Sequence, residues 1–294
     1  MTKFRLKLAR QRGEKTAKEF GFETFRIDPY EIAEKEDILV QAKDPGKEGV
    51  SGCIVFNDDG VGIICSTRVR SQGFRRFTIA HELGHYFLDG HPEEILKTGG
   101  FHASRAGFSQ GSNSIELEAD HFASGLLMPT KLVKDVLDSE GVGLAGINAL
   151  ALDAEASLTS AAIRTAECAQ YPMAIVVSAG PSICYGFMSE SFRSLGKLKL
   201  PRKGDALPES ATRNFNADIS NIRGGRSACA ETNLLAWFDG PASISLDEEV
   251  VGLGSYGLTL TVFSSEAMPD DPCEDEDENE KLIESWTPKF AYGR

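Results

Sequence analysis

The sequence has no apolar run long enough to cross a membrane. A spanning helix needs about 18 or more predominantly apolar residues, whereas candidates such as residues 173–177 have only the length of a buried strand. The opening residues, Met-Thr-Lys-Phe-Arg-Leu-Lys-Leu, also lack the apolar core of a secretion signal. These absences argue against membrane and secreted proteins, and we expect a cytoplasmic protein with no membrane partner.

The sequence also lacks C-x-x-C pairs. Its six cysteines stand at positions 53, 65, 168, 184, 229 and 273. In a long chain without a secretion signal, we expect such cysteines to be reduced thiols. A role as core or surface filler is favoured over a redox or metal role for all of them.

Basic residues are scarce in the C-terminal part, and this accounts for much of the net charge of −13. Residues 266–284 hold ten acidic residues and one lysine, whereas residues 1–18 hold seven basic residues and one glutamate. The acidic balance therefore says little about the folded body, and it does not exclude a basic face for nucleic acid. We expect residues 269–294 to form an acidic tail, disordered over its low-complexity part.

The chain is long enough for two or three domains with buried cores, because it has 294 residues, of which 41% are hydrophobic. In the N-terminal part, periodicity and capping residues predict four helices, near 3–20, 28–36, 75–88 and 115–127. Between the second and third helices, the turn sequence Asn-Asp-Asp-Gly joins two apolar runs into a hairpin over 53–65.

The remaining segments differ in texture. Residues 92–114 are rich in Gly, Ser and His, which predicts a mobile loop. Residues 130–170 look helical with a break at 141–146, and either a helix-turn-helix or a plain helical linker fits them. From residue 172 a separate mixed α/β domain follows, with strands predicted at 173–178, 183–187 and 258–263.

The motif H-E-x-x-H occurs in the third predicted helix, as His81-Glu82-Leu83-Gly84-His85. Residues four apart lie on one face of a helix, so both imidazoles can reach one metal ion. Glu82 lies about a third of a turn away, where it can meet a water molecule without being a ligand. The alternative is a pair of histidines satisfied by hydrogen bonds, but burying them on a mostly apolar helix without a partner is costly.

A catalytic zinc site takes three protein ligands, so a third is needed. Glu116 opens the fourth predicted helix and shares a face with Asp120. We predict Glu116 as the third ligand, with Asp120 accepting a hydrogen bond from the other ring nitrogen of His81 or His85. Glu118, which points elsewhere on the helix, is the competing choice of ligand.

This set of residues predicts hydrolysis assisted by a zinc ion. The ion would lower the pKa of water and polarise a carbonyl group, and Glu82 would act as the general base. The hairpin over 53–65 could offer an edge strand to an extended peptide. A further donor is needed for the oxyanion, and the candidates, each with a structural role favoured, are His91, His102, His121 and Tyr86.

Two sequence blocks resemble the ImmA/IrrE metallopeptidases: RRFTIAHELGHYFL at 75–88 and ELEADHFASGLLMP at 116–129. The resemblance implies an α+β protein that binds Zn²⁺ through a zincin-like (gluzincin) peptidase domain at 1–129. It further implies a helix-turn-helix-like segment at 130–171 and a GAF-like α/β sensor domain at 172–268. The acidic tail has no counterpart in the family pattern.

The resemblance also implies a biological role. Such peptidases cleave a helix-turn-helix transcriptional repressor in response to stress such as DNA damage, phage or mobile elements, and so relieve repression. Single-stranded DNA or a small ligand is the implied activator. The alternatives are a non-proteolytic DNA-binding or signal-sensing regulator with a structural metal site, and a general peptidase with a regulatory domain. Glu82 argues against a structural site, because such a site needs no base.

Overall fold

The computed structural model divides the chain into two compact units, residues 1–168 and 169–294. The predicted acidic tail over 269–294 lies outside the described residues, as does most of the predicted loop beyond residue 104. No described helix is long and apolar enough to span a membrane. The structure describes residues 3–43, 50–67, 71–104, 114–141 and 143–266.

The first unit combines helices with one sheet, and it contains the predicted hairpin and all four predicted N-terminal helices. Its helices are α1 (Lys3–Glu19), α2 (Pro29–Lys35), α3 (Gln72–Phe87), α4 (His91–Lys97), α5 (Ser114–Leu127), α6 (Thr130–Glu140), α7 (Leu144–Asp153) and α8 (Leu158–Cys168). Its strands are β1 (Leu39–Lys43), β2 (Gly52–Asn57), β3 (Gly60–Ser66) and β4 (Phe101–Ser104).

Local sequence explains where two of these helices begin. Helix α2 starts after Asp28, whose carboxylate accepts a hydrogen bond from the Tyr30 amide at 2.9 Å, and Pro29 occupies its first turn. Helix α3 starts after Ser71, whose hydroxyl accepts from the Phe74 amide at 3.4 Å. Each cap satisfies an amide that the first turn of a helix leaves without a partner.

The sheet of the first unit has the strand order β1-β3-β2-β4. Strand β1 runs parallel to β3, and the other two pairs are antiparallel. The prediction that the hairpin supplies an edge strand is wrong, because β2 and β3 are the two inner strands. Strand β4, from a segment predicted to be loop, pairs with the outer side of β2 and becomes one edge.

Residues 92–104 form ordered elements rather than the predicted mobile loop. Pro92 lies in the first turn of α4, a favoured place for proline. Gly100 has φ 73°, and a Cβ there would lie 2.3 Å from the Phe56 carbonyl oxygen. Only glycine permits both features, and its carbonyl oxygen accepts from the Phe56 amide at 2.7 Å. This contact starts the pairing of β4 with β2.

Helix α5 is held between α1 and α3 by glycine contacts. A Cβ at Gly13 would lie 2.1 Å from the Phe122 carbonyl oxygen, and one at Gly84 would lie 3.1 Å from the Ala119 Cα. Backbones can approach this closely only where a side chain is missing. The approach at Gly84 places the first turns of α5 beside the histidines of α3.

Helices α6–α8 belong to the first unit. The buried guanidinium of Arg164 in α8 donates to the Met128 carbonyl oxygen at 2.8 Å and to Glu14 of α1 at 2.7 Å. Arg76 of α3 donates to the carbonyl oxygen of Ala154, just after α7, at 3.1 Å. These buried bonds fix the segment against the rest of the unit. Whether it acts as a helix-turn-helix or as a linker stays a prediction.

The second unit is an antiparallel five-stranded sheet with the order β6-β5-β9-β8-β7. The strands predicted at 173–178, 183–187 and 258–263 are confirmed, and β7 and β8 are additional. Aromatic side chains fill one core cluster, including Phe192, Phe238 and Phe263. The elements are β5 (Met173–Ala179), β6 (Ser182–Met188), α9 (Glu190–Arg193), α10 (Ala211–Asn216), α11 (Ile219–Arg223), β7 (Ser227–Asn233), α12 (Leu234–Phe238), β8 (Ser245–Gly252), a 3₁₀ turn (Gly254–Tyr256) and β9 (Thr259–Ser264).

Candidate metal centre and active site

Helix α3 carries three ionisable side chains into the interior of the first unit. His81, Glu82 and His85 are all fully buried. They lie on a stretch of α3 that is buried on every side, because the helix packs against α5 and against strands β2 and β3. Burying polar groups of this kind costs free energy unless they pair with each other or with an ion.

Three possible ligand atoms converge at one point. The Nε2 atoms of His81 and His85 are 3.2 Å apart, and Nε2 of His85 lies 3.1 Å from Oε1 of Glu116. Nε2 of His81 lies 3.7 Å from Oε2 of Glu116. Ligands about 2.0 Å from a tetrahedral zinc ion are about 3.3 Å from each other. The observed spacings therefore fit a metal ion held between the three side chains.

The chemistry of this trio, His81, His85 and Glu116, also fits zinc. Two imidazole nitrogens and one carboxylate oxygen form the ligand set of one class of catalytic zinc site. Among the described residues, these three form the group that could hold a metal ion. Glu118, the competing choice of ligand, lies instead against Arg5, whose Nη2 atom donates to it at 3.0 Å.

The charges of the trio show what a cation would meet. Burial lowers the pKa of His81, but hydrogen bonds to Asp120 and Glu116 outweigh it and raise that pKa to about 10. Burial lowers the pKa of His85 to about 3. Burial also opposes the Glu116 carboxylate, yet the surrounding histidines hold its pKa well below the usual range. The Glu116 carboxylate is thus held in its charged form, which a bound cation would neutralise.

Glu82 lies beside the trio with one oxygen available. Its Oε2 atom accepts a hydrogen bond from the Ser104 hydroxyl at 3.2 Å, whereas its buried Oε1 atom has no hydrogen-bond partner. Burial raises the pKa of Glu82 to about 7. A Cβ at Gly52 of β2 would lie 2.8 Å from that Oε1 atom, so glycine leaves the carboxylate its space. A carboxylate poised near neutral pH suits a general base.

Other side chains hold the trio from outside. Nδ1 of His81 lies 2.8 Å from Oδ1 of Asp120, so of the two histidines proposed to pair with Asp120, it is His81 that contacts it. Nδ1 of His85 meets the ring of His91 instead, at 3.1 Å. Nε2 of His102 on strand β4 lies 2.6 Å from Oε1 of Glu116.

The candidate oxyanion donors divide into two groups. His121 is hydrogen bonded to Arg10 at 2.8 Å, and the Tyr86 hydroxyl donates to Glu36 at 3.0 Å, so both have partners outside the trio. His102 and His91 contact members of the trio. Sequence reasoning missed Ser104 and Gly52. Neither residue carries a local sequence signal, because β4 is only four residues long and Gly52 is marked only by its distant contact with Glu82.

Comparison with known proteins gives one family match and one likeness in fold. Residues 33–164 match the family model Peptidase_M78, described as the IrrE N-terminal-like domain. A solved structure titled "Mycobacterium tuberculosis transcriptional regulator" resembles the chain in fold, with a TM-score of 0.55 at 14% identity, over 90% of this chain and 82% of that one. No curated protein matches the sequence. The family match spans both histidines and Glu116, so residues 33–164 are similar in sequence to the Peptidase_M78 family.

Proposed function

We propose that the protein is a cytoplasmic zinc endopeptidase of the gluzincin type. His81, His85 and Glu116 are the proposed ligands, and Glu82 is the proposed general base. One observation carries the proposal: three ligand atoms converge within 4.8 Å of one another beside a buried carboxylate oxygen that has no hydrogen-bond partner. Such an arrangement is expensive to bury unless a cation and a water molecule complete it.

The residues divide the work of peptide hydrolysis. A bound zinc ion lowers the pKa of water and polarises the scissile carbonyl group. Glu82 accepts the proton from the attacking water and then delivers it to the leaving amine. Its Oε1 atom, which has no hydrogen-bond partner, is the atom available for both transfers. Ser104 holds the other carboxylate oxygen and so aims the free one.

Strand β4 is the proposed binding edge for an extended substrate. Within the described sheet it pairs with β2 on one side only. It carries His102, next to Glu116, and Ser104, next to Glu82. A peptide that adds as a further strand would therefore run past the trio.

The proposed substrate is a helix-turn-helix transcriptional repressor, cut in response to stress. The family match to a regulator-associated group of metallopeptidases supports this role. So does the likeness in fold to a protein whose title calls it a transcriptional regulator. The second unit, with its own antiparallel sheet, is the proposed GAF-like sensor domain, and single-stranded DNA or a small ligand is its proposed activator.

The deciding experiment compares wild type with Glu82→Gln and His81→Ala. We expect wild type and Glu82→Gln to bind one zinc ion, His81→Ala to bind none, and only wild type to cleave a helix-turn-helix repressor encoded beside it. Each protein is incubated with and without single-stranded DNA. Cleavage by Glu82→Gln would contradict the general-base role. A metal-bound wild type that cuts neither this repressor nor unfolded peptides would favour a non-proteolytic regulator with a structural metal.

A further inference from the structure

The two histidines of the trio are supported in different ways. His81 has a carboxylate, Asp120, directly against its Nδ1 atom at 2.8 Å. His85 has another imidazole there, because its Nδ1 atom lies 3.1 Å from Nδ1 of His91. The inference that follows rests on the proposed zinc site, and it concerns what the second imidazole does.

The metal-binding form of His85 fixes the protons of both rings. If Nε2 of His85 is the ligand atom, its proton must sit on Nδ1. That N–H then donates to Nδ1 of His91, which must be free of a proton. The proton of the neutral His91 ring is therefore on its Nε2 atom.

A buried carboxylate lies near the Nε2 atom of His91. Nε2 of His91 is 3.5 Å from Oε2 of Glu118, close enough for attraction but too long for a hydrogen bond. His91 and Glu118 are both buried, and each has a buried polar atom without a hydrogen-bond partner, Nε2 in one and Oε1 in the other. A shift of a few tenths of an ångström would bring Nε2 of His91 within hydrogen-bonding distance of Oε2 of Glu118.

The line of contacts ends on helix α1. Nη2 of Arg5 donates to Oε2 of Glu118 at 3.0 Å, and its side chain is half exposed. Helix α1 packs closely on α5, because a Cβ at Gly125 of α5 would lie 2.2 Å from the Arg10 carbonyl oxygen. The charge of Arg5 offsets the cost of burying the Glu118 carboxylate.

We propose that His91 is a positioning residue for the metal ligand His85, with Glu118 and Arg5 as its outer supports. His91 takes the place that a carboxylate holds beside His81. It fixes the tautomer and ring orientation of His85 by accepting its Nδ1 proton. Glu118 in turn selects the tautomer of His91 that can accept.

The support of His85 by His91, Glu118 and Arg5 is called the relay below. Zinc affinity tests it independently of peptidase activity. We expect His91→Phe, which keeps a ring but has no acceptor, to weaken zinc binding about 10- to 100-fold in competition with a chromophoric chelator. His91→Asn should recover most of the affinity, because its side-chain oxygen can replace Nδ1. Glu118→Gln should weaken binding severalfold. The matched control is His121→Phe, a histidine of α5 whose ring bonds to Arg10 rather than to the trio.

The outcomes separate the relay from the site itself. A wild type that takes up no zinc overturns both the metal site and the relay. A wild type that binds zinc, with His91→Phe within twofold of it or His91→Asn as weak as His91→Phe, overturns the relay alone. If His91→Phe fails to fold, ¹H–¹⁵N spectra of the zinc-loaded wild type show which ring nitrogens of His85 and His91 carry protons. Protons on Nδ1 of His85 and Nε2 of His91 support the relay, and a proton on Nδ1 of His91 overturns it.

Discussion

Gly84 and Ala119 bring helices α3 and α5 together at the proposed metal centre, since a Cβ on Gly84 would lie only 3.1 Å from the Ala119 Cα. Gly84 precedes His85, and Ala119 lies one turn after Glu116. The distance between the two backbones therefore also sets the distance between the histidine nitrogens and the Glu116 carboxylate. The close packing of these helices and the geometry of the proposed ligands have one structural cause.

Gly84→Val is expected to loosen the site and the fold together. The added side chain overpacks the contact with α5, which should lower the free energy of unfolding by about 1–3 kcal/mol. Zinc affinity should fall as well, because α5 carries Glu116. Urea unfolding and chelator competition measure the two effects. The control is Gly62→Val, where a Cβ would lie at an ordinary contact distance of 3.7 Å from the Leu39 carbonyl oxygen. A Gly84→Val protein with wild-type zinc affinity would contradict the proposal that the packing of α3 on α5 sets the geometry of the metal site.

Gly52→Ala is expected to harm catalysis more than zinc binding. The new methyl group would lie 2.8 Å from Oε1 of Glu82 and 2.6 Å from Cγ2 of Thr78, so the carboxylate must move. General-base catalysis typically accelerates a reaction about 10²–10⁴-fold. Because the base is displaced and not removed, we expect kcat to fall about 10- to 100-fold. Zinc affinity should change less than threefold. A loss of zinc equal to that of His81→Ala would show that Gly52 acts on the ligands instead.

Stability should fall in acid partly because of His121. Burial, together with the positive charges of Arg10 and Arg164, lowers the pKa of its ring to about 4. Between its ordinary pKa of about 6.5 and about 4, the unfolded chain binds a proton that the folded protein does not. The free energy of unfolding therefore decreases as pH falls through this window.

The size of this effect can be isolated with His121→Asn. We expect the wild type to lose roughly 1–3 kcal/mol more than the variant between pH 7 and pH 4. Urea unfolding of the two zinc-free proteins at several pH values gives the difference, in which the other titrating groups cancel. If the unfolding free energies of wild type and His121→Asn changed in parallel with pH, His121 would not be kept neutral by the fold.

Arg164→Leu is expected to be strongly destabilising. The buried guanidinium bonds to Glu14 and to the Met128 carbonyl oxygen, and its removal leaves both without this partner. Breaking a buried ion pair from one side costs about 3–5 kcal/mol. Thermal unfolding measures the loss, with Arg213→Ala as control. That arginine is half exposed, and its surface pair with Glu209 should be worth less than about 1 kcal/mol. Equal destabilisation by the two substitutions would mean that the buried bonds of Arg164 in α8 contribute little to the stability of the first unit.

Residue patterns at short range determined much of the fold in advance. The cap at Asp28, the turn before Gly60 and the helical spacing of His81 and His85 all act within a few residues. Such features follow from backbone geometry and local hydrogen bonds. They can therefore be predicted without knowing which distant segments pack against them. The H-E-x-x-H helix and the helix that opens near Glu116 were predictable for this reason.

The tertiary structure decided what depends on distant contacts. Glu116 and Glu118 stand two residues apart on one helix, and only the rotation of α5 against Gly84 sends one carboxylate to the histidines and the other to Arg5. Strand β4 is too short and polar to be recognised alone, and it becomes a strand because β2 pairs with it. Sequence alone thus determined which residues could bind a metal ion. The packing of α5 and β4 decided which of them meet, because close backbone approach and strand pairing join segments far apart in the chain.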